Sequence, residues 1–335
     1  MRRGIWLALV FGAAGLAATL WLLGESLTSL GRVPAWAFTV GAVLVVANYV
    51  AGAVRLRLLT TLGGNPLPLG ACLRAYALGL FSAAVTPGSA GQAPAVALAM
   101  VRDGLTGAAA WSVTVYVWVL DLAFLAYSVP LSLLLVGRSA MDLSSAQLWA
   151  FAAVVAALAG FMIWVLTFRL HWVTRLGRSL FRLRWLARWR ASSTLFFDRV
   201  ESAAGEIMRG TIAQKASLHA LTAAVYLTTF TTFWVMVVAL RPGAPYLTTM
   251  AIAQLPTVVA TFMPTPGGAG LLEIITASVF LAGSDDGRPG AAGTIAAAIL
   301  GWRLLTFYSR FVVGPIAGAT FARPARPGAE EAGAG

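Results

Sequence analysis

Residues 86–91 read TPGSAG, and residues 265–270 read TPGGAG. Each hexapeptide lies near the middle of an apolar stretch, 69–102 and 246–282. Neither half of either stretch can cross a hydrocarbon core about 30 Å thick at about 1.5 Å per residue. The residue before a proline avoids the helical region, and glycine accepts positive φ. Each hexapeptide therefore ends one helix and lets another begin at depth. Two half-helices joined by such a turn form a re-entrant hairpin. Broken backbone of this kind is tolerated only where protein or a watery cavity covers it.

The rest of the chain agrees with a membrane setting. Of 335 residues, 59% are hydrophobic and 11% charged, and the mean hydropathy is +0.82. Such a chain lacks the charged surface of a soluble domain. Six further apolar runs are long enough to span: 4–23, 34–54, 106–136, 145–168, 216–240 and 290–321. The first is too long for a signal h-region and is read as an uncleaved span. With both hairpins returning to the side they left, eighteen basic residues fall on one face of the membrane and four on the other. Arg55, Arg57 and Arg74 are counted with the eighteen. This bias places the N- and C-termini in the cytoplasm of a multi-pass protein of the cytoplasmic membrane.

The order span, span, hairpin, span then occurs twice. Three spans is an odd number, so the halves are inverted. The expected fold is an all-α polytopic membrane protein with six transmembrane helices and two re-entrant hairpins in an inverted-topology repeat. The first repeat covers 1–137 and the second 138–321, with a basic cytoplasmic loop at 169–215. Residues 322–335 are expected to form a disordered cytoplasmic tail. Many secondary transporters share this architecture, with the substrate near the midplane.

The turns supply the first candidate site residues: Thr86, Gly88, Gly91 and Gln92, and Thr265, Gly267, Gly268 and Gly270. A helix that starts at depth presents unpaired N–H groups and the positive end of its dipole, which suits an anion. Pro94 argues against a helix capped at Ser89, so the start is placed near Gly91. Close packing of small residues would leave the same pattern. The second group is charged residues within apolar runs, which are expensive and usually functional. Asp121 lies in the third span, Glu273 follows the second turn, and Arg303 and Arg310 are seven residues apart in the last span. Arg303 is expected to pair with Glu273 or Asp121 and to exchange that partner for a lipid phosphate. A buried structural ion pair is the alternative. Arg74 either reaches the cavity or snorkels to the cytoplasmic surface.

The sequences TPGSAG, MVRDG, VLDLAF, PTPGGAGLLE and WRLLTFYSRFVVGPIAG resemble the lysylphosphatidylglycerol synthase/flippase transmembrane family over nearly the whole chain. The most specific motif is P-G-G-x-G-x-x-E, here Pro266 to Glu273. The resemblance implies translocation of aminoacylated phosphatidylglycerol or polyprenyl-linked sugars. Two departures stand out. The family's first hairpin usually continues G-E-x-x-R, where this chain has Gly91-Gln92-Ala93-Pro94-Ala95. A Glu-Arg pair usual before the third-span Asp is Val117-Trp118. No aminoacyl-transferase domain accompanies the region, so lipid aminoacylation is not expected of this chain.

No enzyme signature competes with transport. Cys72 is the single cysteine, and His171 and His219 are the two histidines. They suggest neither a disulfide nor a metal site. The one lysine, Lys215, follows Gln214, which excludes a Walker A loop. No cofactor is expected. The partners expected are an anionic lipid substrate, and membrane lipids against the basic loop, where HWVTRLGRSLFRLRWLARWR mixes Trp, Leu and Arg. Nucleic acid is not expected, because topology accounts for the net charge of +12. A homodimer is left open. The expected function is a lipid flippase, with a membrane enzyme or scaffold acting on lipid-linked precursors as the alternative.

Overall fold

The computed structural model describes residues 27–140, 209–261, 268, 271–282 and 291–321, with scattered positions between 146 and 205. Among the described residues every regular element is helical. After a short 3-10 turn at Leu27–Arg32 come α1 (Ala35–Leu62), α2 (Leu69–Val85), α3 (Gln92–Arg102) and α4 (Gly107–Ala140). Then follow α5 (Ile212–Leu240), α6 (Tyr246–Thr261), α7 (Leu271–Ala282) and α8 (Ala291–Arg303). A π turn at Leu304–Tyr308 joins α8 to α9 (Arg310–Phe321).

Among the described residues four helical stretches are long and apolar enough to cross a membrane: Ala35–Leu62, Gly107–Leu135, Ile212–Leu240 and Gly293–Thr320. The chain is a multi-pass α-helical membrane protein. The expected spans 4–23 and 145–168, most of the basic loop, the tail, and the second turn apart from Gly268 lie outside the described residues.

Among the described spans the second departs most from its expected bounds. The second was read as ending at residue 54, but α1 continues to Leu62. Arg55 is thereby drawn into the bundle, where it is 3% exposed. It does not belong with the surface arginines. A helix that continues past its apolar run can bury a charge if a neighbouring helix supplies the counter-charge.

The two apolar stretches broken by Pro-Gly fold as helix pairs. The first has arms of 17 and 11 residues and the second arms of 16 and 12. At about 1.5 Å per residue every arm falls short of a core about 30 Å thick. Within each pair the arms pack on each other. The first hairpin also packs on α1, α4 and α9, and the second on α4, α5 and α8.

Contact between α1 and α5 is the most extensive among the described elements. Asn48 of α1 donates through Nδ2 to the Val225 carbonyl at 2.7 Å and to the Thr228 and Thr229 hydroxyls at 3.2 and 3.1 Å. Small residues let the helices approach. A Cβ on Gly41 would strike Leu305 and Met236, and one on Gly52 would strike the Tyr76 ring. A Cβ on Gly314 of α9 would meet Phe81 of α2. Small residues at helix contacts are how membrane bundles gain dispersion energy without a hydrophobic driving force. Gln254 of α6 bridges two turns of α4, accepting from Ser132 at 2.7 Å and donating to Ser128 at 2.6 Å.

Candidate functional site

The first turn is closed by its own atoms. Thr86 donates its hydroxyl to the Ser82 carbonyl at 2.7 Å and accepts from the Gly91 N–H at 2.9 Å. The N–H groups of Ser89, Ala90 and Gln92 go to the carbonyls of Thr86, Pro87 and Ser89. Gly88 and Ser89 both have positive φ, 57° and 55°, which brings the chain back sharply. α3 then starts at Gln92 with Gly91 at the N-cap. Pro94 falls in the first turn of the helix, where a missing N–H costs nothing. The turn therefore offers an anion fewer free N–H groups than expected, Ala93 carrying the one left in the first turn of α3. Its N–H groups from Ser89 to Gln92 are already satisfied, and Pro94 has none. Gly91 is a packing residue, since a Cβ there would strike Ser82 and Thr86. Of the second turn, Gly268 is described. It is buried with φ 67°, and its carbonyl accepts from the Leu272 N–H at 3.0 Å. Thr265, Gly267 and Gly270 lie outside the described residues.

Among the described residues three ion pairs engage Arg303, Arg55 and Arg74. Arg303 Nε lies 2.6 Å from Glu273 Oε1, with side chains 6% and 1% exposed. The contact is electrostatic rather than an aligned hydrogen bond. The Arg303 guanidinium also lies 3.9 Å from the centre of the Phe307 ring, a cation–π arrangement. Asp121 does not join this pair. It accepts from Arg55 Nη1 at 2.6 Å, and the same nitrogen donates to Thr222 at 3.2 Å. Arg74 lies partly exposed at the base of the first hairpin. It bonds Asp103 at 2.9 Å and ties the two ends of the first hairpin together.

Arg310 stands apart. It lines a small polar pocket with Asn48 and Tyr49 of α1, Thr228, Thr229 and Thr232 of α5, and Thr306 of the π turn. Leu44 and Val45 of α1 and Leu80 of α2 supply its apolar lining. The volume is about 20 Å³, room for about one water. Among the described residues Arg310 has no carboxylate within ion-pair distance, and its Nε is buried without an acceptor. The Tyr49 hydroxyl is likewise buried without a partner. The π turn starts directly after Arg303 and resets the phase of the helix between the two arginines. Such bulges are common at functional sites.

Sequence reasoning named Arg310, Arg303, Glu273 and Asp121 but passed over Arg55, Asn48, Tyr49 and the α5 threonines. Signals were present for two of these. Asn48 is a lone amide inside an apolar run, and Thr228, Thr229, Thr231 and Thr232 cluster near the middle of a span. Polar side chains at that depth usually bridge helices or face a cavity.

Comparison with known proteins places these residues in context. The family model described as "Lysylphosphatidylglycerol synthase TM region" matches residues 5–314. No curated protein matches the sequence.

Proposed function

From the premise that the chain belongs to the lysylphosphatidylglycerol synthase transmembrane family, we propose that it moves an anionic lipid across the cytoplasmic membrane. The lipid is a phospholipid or a polyprenyl-phosphate-linked lipid. Movement occurs through six spans and two opposed re-entrant hairpins arranged as an inverted repeat, with both termini cytoplasmic and no covalent step.

The observation that carries this reading is the pattern of helix pairing. Let α1 exchange with α5, α2 with α6, α3 with α7, and α4 with the last span formed by α8, the π turn and α9. The pair α1–α2 then becomes α5–α6, and α2–α3 becomes α6–α7. Likewise α3–α4 becomes α7–α8, α2–α9 becomes α6–α4, and α1–α4 becomes α5–α8. All of these pairs pack together, and α1–α5 maps onto itself. A two-fold relation of this kind lets one set of contacts open toward either side. Alternating access by inverted repeats works in that way. The α1–α5 seam on the axis is also where Asn48, Tyr49 and the threonines collect.

The test is movement of lipid in liposomes. The purified chain is reconstituted with a fluorescent phosphatidylglycerol, and an impermeant reductant quenches label in the outer leaflet. Translocation predicts that label first protected inside becomes reducible within minutes. Protection equal to that in protein-free liposomes would favour an enzyme or scaffold acting at the bilayer face.

A further inference from the structure

Arg303 and Arg310 lie seven residues apart on the last span, yet one is neutralised and the other is not. Arg303 has Glu273, and Arg55, the other deeply buried arginine, has Asp121. Arg310 leaves one uncompensated positive charge among the described residues of the bundle interior.

That charge lies at mid-depth. Arg310 is ten residues before Thr320, where the last spanning stretch ends. It is 17 residues after Gly293, the other end of that stretch, which puts it about 5 Å from the centre at about 1.5 Å per residue. Asn48 lies 13 residues from one end of Ala35–Leu62 and 14 from the other. Thr228 lies 16 and 12 residues from the ends of Ile212–Leu240. Three spans thus bring their polar groups to one level, and the pocket lies between them.

The pocket's hydrogen bonds decide what it can take. Thr228 and Thr229 donate to backbone carbonyls and accept from Asn48, and Thr232 and Thr306 donate to carbonyls of their own helices. Asn48 Oδ1 accepts from the Tyr76 hydroxyl at 3.2 Å. The groups left over are the Arg310 Nε, a donor, and the Tyr49 hydroxyl, which can donate as well as accept. A water could accept from both but would leave the positive charge bare, which the hydrocarbon interior penalises. An anionic oxygen accepts from both and removes the charge.

We infer that this pocket takes one anionic oxygen of a singly charged phosphodiester, with Arg310 and Tyr49 as the two donors to it. One cation balances one negative charge. A diphosphate would bring at least one charge too many into a site with no second free cation among the described residues. The identification of the ligand as a lipid rests on the transport reading above. A free monovalent oxyanion has the same chemistry.

The test is binding, not transport. The full chain in an uncharged detergent is melted with soluble dihexanoylphosphatidylglycerol, with dihexanoylglycerol, with inorganic phosphate at pH 6, and with pyrophosphate. The phosphatidylglycerol should raise the unfolding temperature saturably, while dihexanoylglycerol gives no shift and pyrophosphate a weaker one. Arg310→Gln should weaken the effect at least tenfold, Arg310→Lys less, and Tyr49→Phe by a few-fold. Equal stabilisation by inorganic phosphate, still lost in Arg310→Gln, keeps the site and assigns it to a free anion. The same midpoint in parent and Arg310→Gln overturns the proposal, as does a parent that gains no phosphate-dependent stability. If Arg310→Gln does not fold, an unchanged midpoint in Tyr49→Phe overturns it. Liposomes that fail to move lipid while this binding persists would remove the transport reading and leave the pocket standing.

Discussion

The two hairpins are built alike and held differently. The first carries its charges at its base, where Arg74 meets Asp103, and its turn is closed by Thr86 and the surrounding backbone. The second carries its charge inside, where Glu273 in the first turn of α7 meets Arg303 of the last span. A clamp at the base fixes a hairpin without involving the cavity. A buried ion pair ties the hairpin to a neighbouring span, and an arriving anion could compete for the arginine. On this comparison the proposed transport reading predicts that the second hairpin responds to a ligand and the first does not.

Removing Arg303 should therefore have the largest effect. Breaking a buried pair leaves an uncompensated charge and costs about 3–5 kcal/mol. Arg303→Ala should give little folded protein in detergent. Adding Glu273→Gln removes the stranded charge and should restore yield without restoring lipid movement. A double variant that moves lipid at the parent rate would show that the pair is structural only and that the second hairpin is no more ligand-responsive than the first.

A smaller loss is expected at the first turn. Gly88 has φ 57°, a region where a β-branched residue is strained by about 1–3 kcal/mol. Gly88→Val should lower the unfolding temperature and slow lipid movement, whereas Gly88→Asn should be tolerated, since Asn accepts that region more readily. Equal behaviour of the two variants would mean that the turn's conformation does not matter. The smallest effect belongs to Arg74→Ala. Its side chain is 34% exposed, and such pairs are worth about 0–1 kcal/mol. A collapse in yield for Arg74→Ala would reverse the contrast between the hairpins.

How far these features could be read in advance follows from their physics. The helical hairpins were legible because Pro and Gly break helices by local sterics, and local sterics are written in local sequence. The partner of Glu273 was legible because few cations remain once topology has claimed the rest. Arg55 was not. It lies just past an apolar run, as a topogenic arginine would, and only the approach of α4 with Asp121 shows that it is buried. The closed state of the first turn was not legible either. Whether a backbone N–H is free depends on where Thr86 points its hydroxyl, and composition does not record that. The pocket around Arg310 needs three spans brought to one depth, which no single segment reveals.

The central claim is that the two hairpins enter the membrane from opposite sides. Single cysteines at Asn65, before the first hairpin, and at Pro242, before the second, test it in a Cys72→Ala background. With an impermeant thiol reagent on intact cells, Pro242→Cys should label and Asn65→Cys should label only after the membrane is opened. Labelling of both from the same side would contradict the inverted repeat and the two-sided access built on it.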